Sequence, residues 1–116
     1  MTGVQTCALP IYHRRPDIAY FSKGQIHAAA TGANQSALFV IEIISNNDVM
    51  NRAYGKMKDY EAAGVEVVWL VFPLLKEVHV WNGRHSTVFR GDEICSAAPV
   101  LPNFQMVVAD IFKLNV

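Results

Sequence analysis

A chain of 116 residues with zero formal net charge, 52% apolar and 17% charged residues, has the length of one globular domain and the composition of a packed one. That balance excludes a disordered chain and a globally basic nucleic-acid binder, although local charge or a metal ion can still hold a phosphate. No apolar run reaches the length of a membrane span, and the two cysteines, Cys7 and Cys95, form neither a zinc spacing nor a disulfide framework, so a reducing cytoplasmic setting is expected.

The opening segment, MTGVQTCALPI (residues 1–11), can be encoded without a gap by a common sequencing-adapter oligonucleotide. It reads as a cloning or assembly scar and is set aside from fold reasoning, together with Cys7. Residues 12–116 then read as part of a domain.

Ile18–Ser22 reads as a short strand entered through Pro16 and Asp17, because proline biases its neighbourhood toward extended geometry. Lys23–Ser36, with two glycines, Asn34 and an alanine run, reads as a loop that can hold a helical turn. Ala37–Ser45 is nearly continuously apolar, the pattern of a strand covered on both faces. The stretch from Ser45 to Asp48 (SNND) suits a helix N-cap. Val49–Ala63 follows as a helix, with Val49, Ala53, Met57 and Tyr60 in an apolar stripe and Gly64 ending it. Val65–Phe72 is the next buried strand, stopped by Pro73. Glu77–Trp81 alternates and predicts a half-exposed strand, with His79 on the surface and Trp81 partly exposed. Asn82-Gly83 marks a hairpin turn into His85–Phe89, Gly91-Asp92 turns again, and Phe104–Val108 reads as a last strand before a helical turn at Ala109–Phe112. A helix between two apolar strands predicts a βαβ crossover, so the class is α/β with a mixed β-sheet and a C-terminal hairpin.

One residue conflicts with this pattern. Glu42 shares a strand face with Leu38, Val40 and Ile44, and a carboxylate buried there protonates or finds a cation. It can pair with a lysine or arginine for structure alone, or serve as a metal ligand or catalytic acid. Asp17, otherwise an ordinary turn aspartate, becomes relevant if it converges with Glu42, because two carboxylates suffice for magnesium. Lys56 lies roughly 70° from the centre of the helix stripe and can reach over the sheet, whereas Lys58 lies roughly 130° away and faces water. A separation of the Asp17 and Glu42 carboxylates within about 5 Å favours a metal site; Glu42 contacting only Lys56, with Asp17 turned away, favours a structural pair.

Weaker candidates are set aside. His13, His27 and His85 share no ligand spacing, and Arg14 and Arg15 read as a solvated pair. Trp69 reads as core and Cys95 as an inert thiol.

Pro16-Asp17, E-I-I-S (Glu42 to Ser45), GK-x-x-x-Y-x-x-A-G-V (Gly55 to Val65), VVWLVFP (Val67 to Pro73) and GDEICSAAPVLPNF together resemble the Uma-two family of endonucleases, in the PD-(D/E)XK superfamily. The resemblance runs from about Arg15 to Lys113. It implies a restriction-endonuclease-like core lacking the N-terminal helix and strands usual before the PD block, and such a truncated fragment can self-associate as a homo-oligomer. It implies metal-dependent hydrolysis of nucleic-acid phosphodiester bonds, with DNA the expected partner. Asp17 and Glu42, with the backbone carbonyl of Ile43, would hold Mg²⁺ or Mn²⁺, and Lys56 would orient the water or neutralise the transition state. The superfamily's usual lysine position, two residues after the acid, holds Ile44 here, and SNND replaces the family's common Ser-Pro-Ser-Thr loop. The alternative is a catalytically inactive module of the same fold that binds nucleic acid or protein.

Overall fold

The computed structural model describes residues 16–45, 50–83 and 85–113. The elements run β1 (Ile18–Tyr20), α1 (Lys23–Ala30), β2 (Phe39–Ile43), α2 (Met50–Ala62), β3 (Val67–Phe72), β4 (Glu77–Asn82), β5 (His85–Arg90), β6 (Ile94–Ala97), β7 (Leu101–Val107) and α3 (Val108–Ile111). Strands β1 to β5 form one mixed sheet in sequence order, and β6 and β7 form a separate antiparallel pair. Among the described strands only β2 and β3 run parallel, joined through α2 as the apolar runs predict.

Strict alternation sends each central strand's side chains to two cores. Val40, Ile44, Val68, Leu70, Phe72 and Trp81 meet Ala53, Met57 and Tyr60 of α2. Phe39, Ile41, Val67, Trp69, Val71, Val78 and Val80 meet Cys95, Ala97 and Val108 of the β6–β7 pair and α3. The sheet is therefore a middle layer, and β2, β3 and β4 are covered on both faces.

That layering corrects the sequence reading of β4. Alternation predicted one wet face, with His79 at the surface, yet His79 is 5% exposed and Trp81 7%. The imidazole tolerates burial because both of its nitrogens have partners: Tyr54 at Nδ1 and Glu77 at Nε2. Trp69 is core, as expected, with its ring edge-on to Phe39 at a 5.4 Å centroid distance.

Lys23–Ala30 is an eight-residue helix, longer than the single helical turn expected within that loop. Its start is held by a capping box: the Gln25 amide N–H donates to Ser22 Oγ at 3.1 Å, and the Ser22 N–H donates to Gln25 Oε1 at 2.9 Å. Strand β6 has no counterpart in the sequence reading, and β7 starts three residues before the expected Phe104.

The end of α2 bears directly on the site. Gly64 has φ +96°. Its N–H donates to Glu61 O at 3.0 Å, and the Val65 N–H donates to Tyr60 O at 3.0 Å. This pairing is a Schellman motif, which needs the left-handed residue that glycine supplies. It fixes the last turn, and with it Tyr60, against the sheet. Strand β1 is one edge of the sheet, and an open apolar groove lined by Ile18, Tyr20, Phe39, Ile41, Leu101 and Phe104 runs beside it.

Candidate active site

Strand β1 pairs with β2 through Ile18↔Ile41, Ala19↔Val40 and Tyr20↔Phe39. Asp17 is the bend residue just before β1, next to the Ile18↔Ile41 pair, and its charge is near enough to act on Glu42. The Ile43 N–H donates to Asp17 Oδ2 at 2.7 Å, so the aspartate is tied to the strand that carries Glu42. Asp17 is exposed, whereas Glu42 is 7% exposed.

Glu42 has two partners from α2. Tyr60 donates its hydroxyl to Oε1 at 2.8 Å, and the Lys56 ammonium lies 3.4 Å from Oε2. The tyrosine bond is short and fully buried. The lysine contact is an ion pair longer than the 2.7–2.9 Å usual for a charge-assisted hydrogen bond. Lys56 reaches Glu42 from the flank of the helix, as its angle to the stripe predicts, and Lys58 is exposed.

Burial pushes the Glu42 carboxyl above its ordinary pKa, and the charge of Asp17 pushes the same way. The Tyr60 hydrogen bond and the Lys56 charge pull it back without cancelling the rise. A buried carboxylate whose ionisation a second acid opposes is one that a cation would stabilise. The form expected of a purely structural pair is not what is found. Glu42 contacts Tyr60 as well as Lys56, and Asp17 bonds to the same strand rather than turning away.

The donor set fits a hard divalent ion. Carboxylate oxygens of Asp17 and Glu42, together with a backbone carbonyl such as that of Ile43, are oxygen ligands of the kind magnesium and manganese take. Among the described residues no group of three or more His, Cys, Asp or Glu side chains gathers, so a cation here would keep several waters.

A second polar cluster lies on the same face of the sheet and was not anticipated. Tyr54 Oη is 2.8 Å from His79 Nδ1 and 3.4 Å from Ser86 Oγ. His79 Nε2 is 3.1 Å from Glu77 Oε1, and Arg90 donates to Glu77 Oε2 from Nη2 at 2.8 Å and Nε at 3.1 Å. The His79 bond and then the Arg90 bonds hold the Glu77 carboxyl below its ordinary pKa.

The other candidates stay apart from the two acids. Cys95 is fully buried with its thiol pushed up to about 11 by burial, an unreactive state. His27 and His85 are exposed, on α1 and β5. Cys7, His13, Arg14, Arg15, Val49 and the three residues after Ser45 lie outside the described residues.

Comparison with known proteins agrees with this geometry at the level of the fold. The chain belongs to the family described as "Uma2: Putative restriction endonuclease", whose match covers residues 4–110 and so begins inside the segment 1–11. Among solved structures it is similar to a protein of Anabaena variabilis ATCC 29413 described as "a putative nuclease belonging to DUF820", with a TM-score of 0.76 and 19% identity. The match covers 92% of this chain and 64% of that one, so the chain spans less than two thirds of that protein's length. No curated protein matches.

Proposed function

We propose that this domain hydrolyses phosphodiester bonds in nucleic acid, with DNA as the expected substrate, using Mg²⁺ or Mn²⁺ held by Asp17, Glu42 and the carbonyl of Ile43. The observation that carries the reading is the state of Glu42. It is buried, destabilised as an anion by burial and by Asp17, and yet supported by a hydroxyl and an ammonium aimed at it. A structural ion pair needs no second acid at its side; a cation site does.

A divalent ion bound there would acidify a water and neutralise charge on the phosphate. The residues divide the remaining work. Tyr60 holds Oε1 and so fixes the plane of the Glu42 carboxylate. The Ile43 N–H holds Asp17 Oδ2 and leaves Oδ1 for a ligand. Lys56, 3.4 Å from Glu42, stands where an ammonium can also meet a phosphate oxygen or orient a water.

Cleavage of single- and double-stranded DNA with Mn²⁺, by the parent and by Lys56→Met, tests the reading. Lys56→Met should keep metal binding and lose cleavage by about 10²-fold or more, the usual effect of removing one transition-state contact. Cleavage by the variant at the parent rate would remove Lys56 from the mechanism, and equal background from the parent and from Asp17→Asn would remove the nuclease reading.

A further inference from the structure

Helix α2 touches the sheet through a narrow stripe. Ala53, Met57 and Tyr60 are its buried residues. With Tyr54 and Ala63 half-buried beside them, they form a ridge that resists separation better than it resists rolling about the helix axis, since neighbouring side chains can slide past it. The Tyr60 hydroxyl on Glu42 restrains the roll from one side, and a second restraint on the far side would fix it, because a small rotation would carry the Lys56 ammonium off Glu42.

Tyr54 lies on the opposite flank. At about 100° per residue, Tyr54 falls about 90° to one side of the stripe centre and Lys56 about 70° to the other. The two side chains reach in opposite directions across the sheet. Lys56 reaches Glu42 on β2, and Tyr54 reaches His79 on β4. The register places Glu42 opposite Leu70 and Leu70 opposite His79, so the two contacts lie in one row across three strands. The helix straddles that row, with Lys56 and Tyr60 on Glu42 at one end and Tyr54 on His79 at the other.

The far contact is itself rigid. His79 is buried, its ring lies 4.4 Å centroid to centroid from Phe72, and its Nε2 is held by Glu77, which Arg90 grips through two nitrogens. An imidazole fixed on three sides offers Tyr54 a partner of defined position.

We infer that Tyr54 and His79 are positioning residues: their hydrogen bond, anchored by Glu77 and Arg90, sets the roll of α2 and thereby holds Lys56 on Glu42. The consequence for catalysis rests on the proposed nuclease function. The geometric statement does not, and it is tested without metal or substrate. Catalytic side chains need support of this kind, since small misplacements are costly.

The test is competitive labelling of lysine amines with limiting acetic anhydride, followed by mass spectrometry, with the exposed Lys58 on the same helix as internal reference. Burial and the contact with Glu42 shield the Lys56 amine, whose side chain is 17% exposed, so in the parent it should react about fivefold more slowly than Lys58. Tyr54→Phe removes only the hydroxyl, and it should bring Lys56 to within about twofold of Lys58. Gly32→Ala strains a turn at φ +101° that lies far along the chain from α2, and it should leave Lys56 slow. Glu77→Gln, at the partly exposed end of the anchor, should raise Lys56 reactivity less than Tyr54→Phe does, and it serves in its place if circular dichroism shows Tyr54→Phe to be unfolded.

An unchanged Lys56 rate in the folded variant overturns the inference. So does an equal rise in Gly32→Ala, which would mark general loosening. A rise in Lys56 labelling with no cleavage by the parent would leave the positioning role standing and remove only the nuclease reading. Where the parent cleaves, Tyr54→Phe should lower kcat with KM unchanged, and a change in KM alone would contradict a role exercised through Lys56.

Discussion

The Tyr60 hydroxyl donates to Glu42 Oε1 at 2.8 Å, and Tyr60 is fully buried. A tyrosine that fills core with its ring and satisfies a buried carboxylate with its tip links packing to chemistry in one side chain. Both of its neighbours in that role are set by the chain: the Schellman turn at Gly64 fixes the ring, and the β2–β3 ladder fixes Glu42.

Tyr60→Phe should therefore act on both stability and metal affinity. It leaves a buried carboxylate oxygen without its donor, at a cost of about 1–3 kcal/mol. It also frees the carboxylate plane, and loss of such a support lowers metal affinity by about tenfold or more. Urea unfolding and Mn²⁺ titration measure the two effects. A destabilised variant with parent-like affinity would limit Tyr60 to packing.

Glu42 predicts an unusual pH dependence. Its folded pKa is raised above the ordinary 4.5, so the folded state holds the proton more tightly than the unfolded state. Stability should then fall as pH rises from 4.5 through the raised folded value, and stay lowered above it. Glu42→Gln removes that titration. In the presence of chelator, the stability of Glu42→Gln minus that of the parent should grow as pH rises through this window. The comparison cancels the opposite effect of Glu77, whose lowered pKa adds stability that is lost as pH falls. A difference that shrinks with rising pH would contradict the assigned environment of Glu42.

Two glycines of the α2 region should respond in opposite directions. Gly64, at φ +96°, has no steric neighbour within 4 Å of an added Cβ, so Gly64→Ala isolates the backbone cost of about 1–2 kcal/mol for a left-handed residue. Gly55 is an exposed position within the helix with the same open space, and Gly55→Ala should stabilise by about 0.5–1 kcal/mol. Thermal unfolding of both variants checks the signs, and a stabilising Gly64→Ala would contradict the cap.

Much of this fold is legible along the chain, for identifiable reasons. Strands β2 and β3 are apolar runs because both faces are covered, and α2 shows its stripe because one face alone is buried. Helix α1 shows along the chain only as a helical turn within a loop, because its glycine and alanine residues form no apolar stripe and none of its residues is buried. Its signal was Ser22 and Gln25, a capping pair at the required spacing. The misreading of β4 has a different origin. Alternation tells which residues share a face, but not how many layers cover the sheet, and here β5 covers the edge while α2 and the β6–β7 pair cover the faces.

The candidate site divides in the same way. Asp17, Glu42 and Lys56 stood out because a carboxylate in an apolar strand demands an explanation. Tyr60 did not, since its place in the stripe already accounted for it. Nor did the Tyr54–His79–Glu77–Arg90 cluster, whose members come from three elements and meet only through the sheet register.

Calorimetric titration of Mn²⁺ into the parent and into Glu42→Gln, with circular dichroism showing both to be folded, measures whether Asp17 and Glu42 hold a divalent ion. The parent should bind Mn²⁺, and the variant should not. A folded parent that takes up no Mn²⁺, or a variant that binds as the parent does, would contradict a metal site built on Asp17 and Glu42.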